Sequence, residues 1–532
     1  MRTNMLLAGA ALAAALGCAD READCRHCDT VVIAATVEPP SIFPPMVYET
    51  VGRDISDLVF ERLAVLTSPG APIDSTAYRP GLAVRWERAD ALTWRFHLRP
   101  GARWHDGRPV TADDVVFSFE AYGDSAVNAI SRSQVAGRMT ASAENASTVR
   151  VRFREPGPEQ LYDATFHVRI LPKHIWASIP RTGWESDTSL ARLVGSGPYR
   201  PVSRSLGQYL ILSASEGAGD SLEIRRLIWR FAPDPDAALN LVLAHEADLM
   251  ESIGTPDRVE RVAGDSAFRT VSLPGATYGF LAFRHADQSG RKHPVLSLRE
   301  VRQGLTQAFD RQALSGAFLG PGTRVPPGPM SQLLWIWSDS IRMLEFDTAA
   351  ARRLVGDRVR PAGAAPIDIL VPSSSPSRRR FALAIQQAWR EIGVGSTVTA
   401  VDFPVFQERL ARGKFDAYVG AYLDEPSPRG LADQWSRSGW GVLNYGHYAN
   451  SSFDSLLAAA GSAREVPEAR KLWREAMDTL NADAAAIFLY APVNVAAVSR
   501  RLDNVTIDPY SWLASLPDWR ISRDRPSAVS SR

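Results

Sequence analysis

Residues 367–421 read IDILVPSSSPSRRRFALAIQQAWREIGVGSTVTAVDFPVFQERLARGKFDAYVGA. Short runs rich in β-branched residues at 367–371 and 394–401, and alternating apolar residues at 415–421, predict three strands. Between the first two, residues 379–392 place their apolar side chains on one face of a helix. This alternation of strands and helices favours an α/β lobe with a partly parallel sheet.

The rest of the chain also mixes the apolar spacing of strands with that of helices. A strand is predicted to begin at Thr30 and to end before Pro39, since proline cannot donate to a sheet ladder. Residues 53–66, 235–249 and 464–481 have helical spacing of their apolar positions. The whole sequence is therefore expected to form a mixed α/β protein.

A well-marked block of local signals lies in the first third of the chain. Residues 94–98 alternate between apolar and polar side chains, which predicts a strand. Thr111 is a suitable N-cap, and Asp113 and Asp114 place acidic groups in the first turn of the helix that follows. Residues 195–199, Gly-Ser-Gly-Pro-Tyr, predict a turn that leads into a strand.

Composition and charge exclude some function classes. The chain has 532 residues, of which 45% are hydrophobic and 22% are charged, as in ordinary globular proteins. Its formal net charge of +1 provides no overall basic field for nucleic acid or acidic lipid. No nucleic-acid partner is therefore expected.

The N-terminus has the features of an export signal. Arg2 precedes an apolar run at residues 5–16, which is shorter than the ~20 residues of a membrane-spanning helix. Ala-Leu-Gly before Cys18 resembles a lipobox, the signal for lipidation of that cysteine. We predict a signal peptide over residues 1–17, a lipid anchor at Cys18 and a tether over 18–29. The alternative is an ordinary secretory peptide with a chance cysteine. No other stretch approaches the apolar length of a span, so the body is expected to be soluble.

The three cysteines, Cys18, Cys25 and Cys28, all lie near the N-terminus. The body of the chain therefore has neither disulfides nor cysteine catalysis. Cys25 and Cys28 form a CxxC that could be a redox pair or half of a zinc site. Only His27 lies nearby as a further ligand. We interpret the pair as a local disulfide or as idle thiols and predict no cofactor.

Motifs of the common hydrolases and nucleotide-binding enzymes are missing. The sequence contains no GxSxG elbow, no HExxH, no Walker loop and no GxGxxG after a strand. His285, Asp287 and His293 share one predicted loop and could coordinate a metal, although loop histidines are usually solvated. His245 and Asp248 are interpreted as a solvated helix face. We predict no metal site and no enzymatic activity.

Aromatic residues near polar ones mark a candidate binding region. Most of the 14 Trp, 13 Tyr and 20 Phe residues must belong to the core. Residues 418–440, however, follow a predicted strand, and ligands of open α/β sheets bind beyond the carboxyl ends of strands. A plain surface loop with partly buried tryptophans is the alternative. The candidate solute-contacting residues are Tyr422, Asp424, Trp435, Trp440, Tyr278 and Glu38.

Several segments taken in order carry a family resemblance. Residues 94–107, WRFHLRPGARWHDG, lead into 110–118, VTADDVVFS, and Gly-Ser-Gly-Pro-Tyr follows at 195–199. Residues 301–311 contain VRQ and AFDR in the order of a further family helix. The chain resembles the extracytoplasmic solute-binding proteins of the peptide, nickel and opine class of ABC importers, solute-binding protein family 5. The resemblance extends over about residues 31–519.

The resemblance implies a two-lobed periplasmic-binding-protein fold of type II, with an extra subdomain in the first lobe. The expected division is lobe I over residues 30–272, with the insertion at about 61–190, lobe II over 273–482, and a return to lobe I with a C-terminal tail over 483–532. It also implies a small-molecule or peptide ligand in the cleft between the lobes. The partners would be ABC permease subunits, and the protein would be an extracytoplasmic, lipid-anchored monomer.

One departure from the family bears on the ligand. Peptide-binding members carry an aspartate that pairs with the ammonium group of the peptide. Alignment of Glu425 and Pro426 with the family segment puts Tyr422 at that position. Asp424 could substitute only if the loop shifts. Arg284 also stands where the family often has asparagine. These changes favour an uncharged or anionic solute, since an unpaired buried charge is costly.

Two other functions remain open from the sequence. A secreted hydrolase could use paired carboxylates, which would face each other at roughly 5–9.5 Å in a cleft. A sensory or adhesive lipoprotein could retain the same fold without import. The predicted function is capture of a solute for an ABC importer.

Overall fold

The computed structural model describes residues 29–47, 49–67, 70–218, 222–356 and 365–522. The predicted signal peptide (1–17), the predicted tether up to residue 28 with Cys18, Cys25 and Cys28, and the end of the predicted C-terminal tail (523–532) lie outside the described residues.

A seven-stranded sheet forms the centre of the first lobe. Thr30–Ala35 runs parallel to its neighbours Arg226–Phe231 and Leu249–Met250, and all its residues are buried. Such complete burial explains why this strand is apolar along its whole length. In order across the sheet, the strands are Phe268–Pro274, Val493–Ser499, Leu249–Met250, Thr30–Ala35, Arg226–Phe231, Tyr209–Ala214 and Tyr199–Ser205.

A five-stranded sheet forms the centre of the second lobe. Ile367–Pro372 runs parallel to both of its neighbours, and Thr277–Phe283 runs antiparallel to both of its own. The strand–helix–strand order at residues 367–421 supplies the parallel part, as predicted. In order, the strands are Ser396–Val401, Ile367–Pro372, Ala417–Leu423, Thr277–Phe283 and Ala486–Tyr490.

A four-stranded antiparallel sheet forms the insertion in the first lobe. Phe96, Val149 and Val151 point from it into the same apolar core that holds the first-lobe sheet. The insertion and the first lobe therefore share one core. The strands are, in order, Ala83–Asp90, Thr93–Leu98, Thr148–Phe153 and Met139–Asn145. Two short ladders pair Ala64–Leu66 with Tyr78–Pro80 and Leu502–Asp503 with Arg520–Ile521.

Helices cover the sheets and connect their strands. None within the described ranges is long and apolar enough to cross a membrane. The α-helices are Thr50–Val59, Ala112–Gly123, Arg132–Val135, Gln160–Phe166, Lys173–Trp176, Pro235–Leu243, Pro256–Ala263, Arg299–Gln307, Arg311–Leu319, Thr348–Val355, Pro376–Glu391, Phe403–Ala411, Leu431–Trp435, Ser451–Ser462 and Val466–Ala482.

The predicted cap at Thr111 is confirmed. Thr111 and Asp114 form a capping box at the start of Ala112–Gly123. The Asp114 carboxylate accepts from the Thr111 N–H at 2.9 Å and from the Lys173 N–H at 2.9 Å. One buried acid thus starts one helix and anchors the beginning of another.

Two predicted helices are shorter than expected. The helix predicted over 53–66 ends at Val59, because the Val59 carbonyl accepts from the Gly197 N–H at 2.9 Å and the chain turns into a strand. The helix predicted over 235–249 ends at Leu243. Asp248 is not on a solvated helix face, as we had interpreted it, but is 3% exposed beside the central sheet.

The α/β, two-lobed architecture is confirmed. The chain leaves the first sheet at Pro274 and enters the second at Thr277. The sequence predicts that the chain returns to the first lobe at residue 483. In the structure the strand Ala486–Tyr490 still pairs with the second sheet, and the chain returns to the first lobe between Tyr490 and Val493.

Candidate functional site

The candidate site lies in the cleft between the lobes. The loop after the strand Ala417–Leu423 reaches from the second lobe towards the insertion, and a cavity lies on each side of it. Cavity A, of about 340 Å³, is lined by Arg138, Tyr162 and His167 of the insertion and by Asp424, Glu425 and Arg429 of the second lobe. Cavity B, of about 300 Å³, is lined by Arg62, Phe60, Phe166 and Tyr510 of the first lobe and by Leu333 and Pro426 of the second.

Asp424 is the most distinctive group of cavity A. It directly follows a strand of the second sheet, is 6% exposed, and accepts from the Ser331 N–H at 2.5 Å. Within the described parts of the chain, no Lys, Arg or His lies within ion-pair distance of it. Burial raises the pKa of Asp424 to about 7, and the bond from Ser331 offsets only part of that effect. The described residues therefore supply no counter-charge to this carboxyl group.

Tyr162 presents a free hydroxyl to the same cavity. The side chain is 1% exposed, and its hydroxyl has no hydrogen-bond partner in the described regions. Burial raises its pKa well above the ordinary value, and Glu425 and Glu159 add to the shift. A neutral phenol that is able to donate a hydrogen bond therefore lines the same cavity as the carboxyl groups of Asp424 and Glu425.

Tyr510 comes from the C-terminal segment and lines cavity B. Its hydroxyl is buried without a partner among the residues that the structure describes. Burial raises the pKa of the Tyr510 hydroxyl, and the negative charges of Asp424, Asp508 and Glu425 raise it further. We did not predict this residue, because its segment is irregular and carries neither a helical nor a strand period.

The charged groups deeper in cavity B pair with one another. Asp57 accepts from Arg62 at 3.1 Å and from Arg169 at 2.6 Å, and Ser511 donates to it at 3.2 Å. Although burial opposes the shift, Arg169 and Arg62 hold the pKa of Asp57 well below its usual range. Cavity B is therefore suited to an uncharged group, whereas in cavity A the Asp424 carboxyl group is available to a cation although Arg138 and Arg429 line the same cavity.

Two further carboxyl groups interact in the first lobe but lie outside both cavities. Asp54 is 1% exposed and accepts from the Trp512 N–H at 2.9 Å, while its second oxygen has no partner in the described regions. Burial raises the pKa of Asp54 and raises that of Glu251 to about 7. Neither residue lines cavity A or B. The pair is therefore not part of the candidate site.

Three predicted contact residues meet in the core of the second lobe. Tyr278 is 0% exposed and donates to Gln434 at 2.5 Å, and Trp435 is 3% exposed and donates to the Tyr278 oxygen at 3.1 Å. The ring of Tyr422 lies 6.1 Å from that of Tyr278, and its hydroxyl donates to the Leu443 carbonyl at 2.8 Å. None of the three lines cavity A or B, so a role in solute contact stays a prediction.

The other two predicted contacts also do not line cavity A or B. Trp440 donates to the Tyr448 carbonyl at 2.8 Å and stacks on His447, with ring centroids 4.8 Å apart. Glu38 accepts from Arg204 at 2.8 Å and from the Gly207 N–H at 2.5 Å, within the first lobe. Of the six candidates, the structure places only Asp424 on the wall of cavity A.

The loop histidines have structural partners. His293 Nδ1 accepts from the Leu296 N–H at 2.9 Å, and Nε2 lies 3.1 Å from Asp416. His285 Nε2 donates to the Ala485 carbonyl at 3.0 Å. Within the described residues, no group of three or more His, Cys, Asp or Glu side chains is arranged to hold a metal ion.

Comparison with known proteins finds a family and several relatives. The family model of bacterial extracellular solute-binding proteins, family 5 Middle, matches residues 77–441, more than half of the chain. Heme-binding protein A of Haemophilus influenzae is 24% identical over 527 residues, which cover 93% of each chain.

Two solved structures have the same fold. The ABC transporter substrate-binding protein CtaP of Listeria monocytogenes superposes with a TM-score of 0.81 at 22% identity, covering 93% of this chain and 99% of that one. The oligopeptide-binding protein AppA of Bacillus subtilis, solved with a nonapeptide, has a TM-score of 0.73 at 20% identity, with coverage of 93% and 99%.

Proposed function

Since the chain belongs to the bacterial extracellular solute-binding proteins of family 5, we propose that it captures a solute bearing a protonated amine, such as a short peptide, in the cleft between its lobes. Membership confirms the resemblance that the ordered sequence segments indicated, and with it a substrate-binding role in import by an ABC transporter. The identity of the solute is the new part of the proposal.

The charge of Asp424 carries the proposal. This carboxyl group lines cavity A, is 6% exposed, and has a hydrogen-bond donor but no cation beside it in the described part of the chain. A buried carboxylate is stable only when paired, so a ligand ammonium would supply the missing charge. This replaces our expectation of an uncharged or anionic solute, which rested on Tyr422 occupying the place of the family aspartate.

The neighbours of Asp424 extend the recognition surface. The Tyr162 hydroxyl can donate to a ligand carbonyl in cavity A. Cavity B, with its paired charges and its apolar walls from Phe60, Phe166 and Leu333, would take an uncharged side group. A solute with an ammonium end, a polar backbone and an apolar group matches this combination.

The setting of the protein is part of the same proposal. The N-terminal segment would be cleaved before Cys18, and the lipid on that cysteine would hold a monomeric receptor at the outer face of a membrane. The partners would be ABC permease subunits that accept the solute from the closed cleft. The protein itself would perform no catalysis.

Thermal unfolding with a library of solutes tests the ligand class. A binder present at a hundredfold excess over Kd stabilises the folded protein by about 2.7 kcal/mol. We expect shifts with di- to tetrapeptides that have a free amino group and smaller shifts with their N-acetylated forms. Asp424→Asn should abolish the difference, and Asp402→Asn, an exposed carboxylate elsewhere in the second lobe, should preserve it.

Equal shifts with free and acetylated peptides would contradict the role of the ammonium. No shift with any extracytoplasmic solute would count against capture itself and would favour the sensory or adhesive alternative. Release of products from the library would instead indicate the hydrolase. The carboxyl pair Asp54 and Glu251 lies outside both cavities and so does not support that last reading.

A further inference from the structure

Four side chains join the two lobes across the cleft. Arg429 of the second lobe donates to Glu159 of the insertion at 2.5 Å and to Asp163 through two nitrogens, one of them at 3.2 Å. Ser427 donates to the same Glu159 carboxylate at 2.6 Å. We call these four residues the interlobe latch.

Each half of the latch is fixed to the core of its own lobe. Glu159 and Asp163 lie at the start of the helix Gln160–Phe166, where Leu161 and Tyr162 pack into the first-lobe core. Arg429 lies two residues before the helix Leu431–Trp435, whose first and last residues belong to the second-lobe core. A contact between these side chains therefore links the core of one lobe to the core of the other.

Arg429 is the counter-charge of both carboxylates. The side chains of Glu159 and Asp163 are 5% and 8% exposed, and the Arg429 side chain is 31% exposed. Among the described residues, the other basic group within 4.0 Å is His167, at 3.9 Å from Asp163. Burial, followed by nearby arginines, lowers the pKa of His167 to about 3, so that it is neutral at physiological pH.

Arg429 of the latch lines two cavities. Arg429 lines cavity A on one side. On the other side it lines a wider polar cavity of about 580 Å³, between Arg154 and Glu155 of the insertion and Arg464 of the second lobe. Glu159 and Asp163 also line this second cavity, so the ion pairs of the latch lie at the wall that Arg429 shares between the two cavities.

We propose that the interlobe latch holds the cleft closed through the protein's own charges and must break before a solute can be exchanged. The lobes then close without requiring a ligand, and the solute binds to the fraction of molecules in which the latch is open. Apparent affinity is reduced by that fraction. The inference rests on the proposed function for its solute step, while closure itself is independent of any solute.

Small-angle X-ray scattering of the full chain without added solute tests closure. Wild type should have the radius of gyration of the closed form, and salt should change it little, because buried ion pairs are screened much less than exposed ones. Arg429→Met should have a larger radius at the same salt concentrations. Arg437→Met is the matched control, because Arg437 lies over the Trp440 ring within the second lobe.

A second variant tests the latch independently, in case Arg429→Met does not fold. Glu159→Gln with Asp163→Asn keeps the shape of both side chains and removes the charges that Arg429 neutralises, so it should also enlarge the radius. Circular dichroism confirms that each variant is folded. Equal radii for wild type and both variants would overturn the latch.

Stopped-flow fluorescence with a peptide found by thermal unfolding tests the exchange step. Association should accelerate about tenfold in Arg429→Met if the open fraction rises from about a tenth to nearly all molecules. Unchanged association together with an enlarged radius would overturn the gating role. Failure of every peptide to bind would concern the proposed function alone, because the scattering experiment needs no solute.

Discussion

Asp248 and Arg501 form a two-point ion pair between positions 253 residues apart in the chain, with distances of 2.5 and 2.7 Å. Their side chains are 4% and 5% exposed. Asp248 also accepts from the Val32 N–H at 2.9 Å, and Arg501 donates to the Thr30 carbonyl. The pair thereby fastens the C-terminal segment to the central strand of the first sheet.

Loss of this pair should destabilise the first lobe strongly. Arg501→Met leaves the Asp248 carboxylate buried without its partner, which typically costs about 3–5 kcal/mol. Urea unfolding followed by circular dichroism would measure the change. Arg226→Met, at an exposed position of the same sheet, should stay within about 0.5 kcal/mol of wild type. A loss below 1 kcal/mol in Arg501→Met would show that the pair is not needed.

Two adjacent acids should behave very differently. Asp114 accepts from the Thr111 and Lys173 N–H groups and is 5% exposed, so Asp114→Ala should cost about 2–4 kcal/mol by leaving these donors unsatisfied. The Asp113 side chain is 66% exposed, and Asp113→Ala should cost less than about 0.5 kcal/mol. Thermal unfolding of both variants gives the comparison, and similar losses would refute the capping role.

Gly195 should tolerate no side chain. A Cβ at this position would lie 1.8 Å from the Val59 carbonyl oxygen, which is backbone and cannot rotate away. We expect Gly195→Ala to cost about 3 kcal/mol or more, the upper range for overpacking. Gly157→Ala meets no atom within 4 Å and serves as the control. Equal denaturation midpoints for the two variants would contradict this packing.

Solute binding should weaken in acid. The pKa of Asp424 is raised to about 7, so the carboxylate that pairs with an ammonium is ionised at pH 8 and largely protonated at pH 5. Well below pH 7, Kd should therefore increase about tenfold for each unit of pH. Calorimetric titration between pH 8 and 5 measures this slope. Asp424→Asn should bind weakly and with little pH dependence, whereas a steep slope in that variant would assign the titration to another group.

Local patterns predicted local structure well. The alternation at Trp94–Leu98, the cap at Thr111 and the strand–helix–strand order at residues 367–421 all appear in the structure. Each depends on neighbours within a turn or two of the chain. The helix predicted over 53–66 failed for the opposite reason, since it ends where Gly197, far along the chain, hydrogen-bonds to Val59.

The site was harder to predict because its contacts are distant in sequence. Asp424 was identified by its place after a strand, and the structure puts it on the cleft wall. Trp435 was predicted as a contact because it belongs to the aromatic segment after a strand, yet its indole N–H donates to the hydroxyl of Tyr278 in the core. No sequence pattern identified Arg429 as a contact between the lobes. Its partners Glu159 and Asp163 belong to the other lobe, and Asp163 lies 266 residues away in the chain.

The path of the chain has a consequence for biogenesis. All five strands of the second sheet lie between Thr277 and Tyr490, so this lobe is contiguous in the chain. The first sheet lacks its strand Val493–Ser499, which lies between Leu249–Met250 and Phe268–Pro274, until nearly the whole polypeptide is made. A ribosome or translocon that releases the chain from its N-terminus thus completes the second lobe before the first. The first lobe, whose N-terminal strand is synthesised early, therefore completes its folding last.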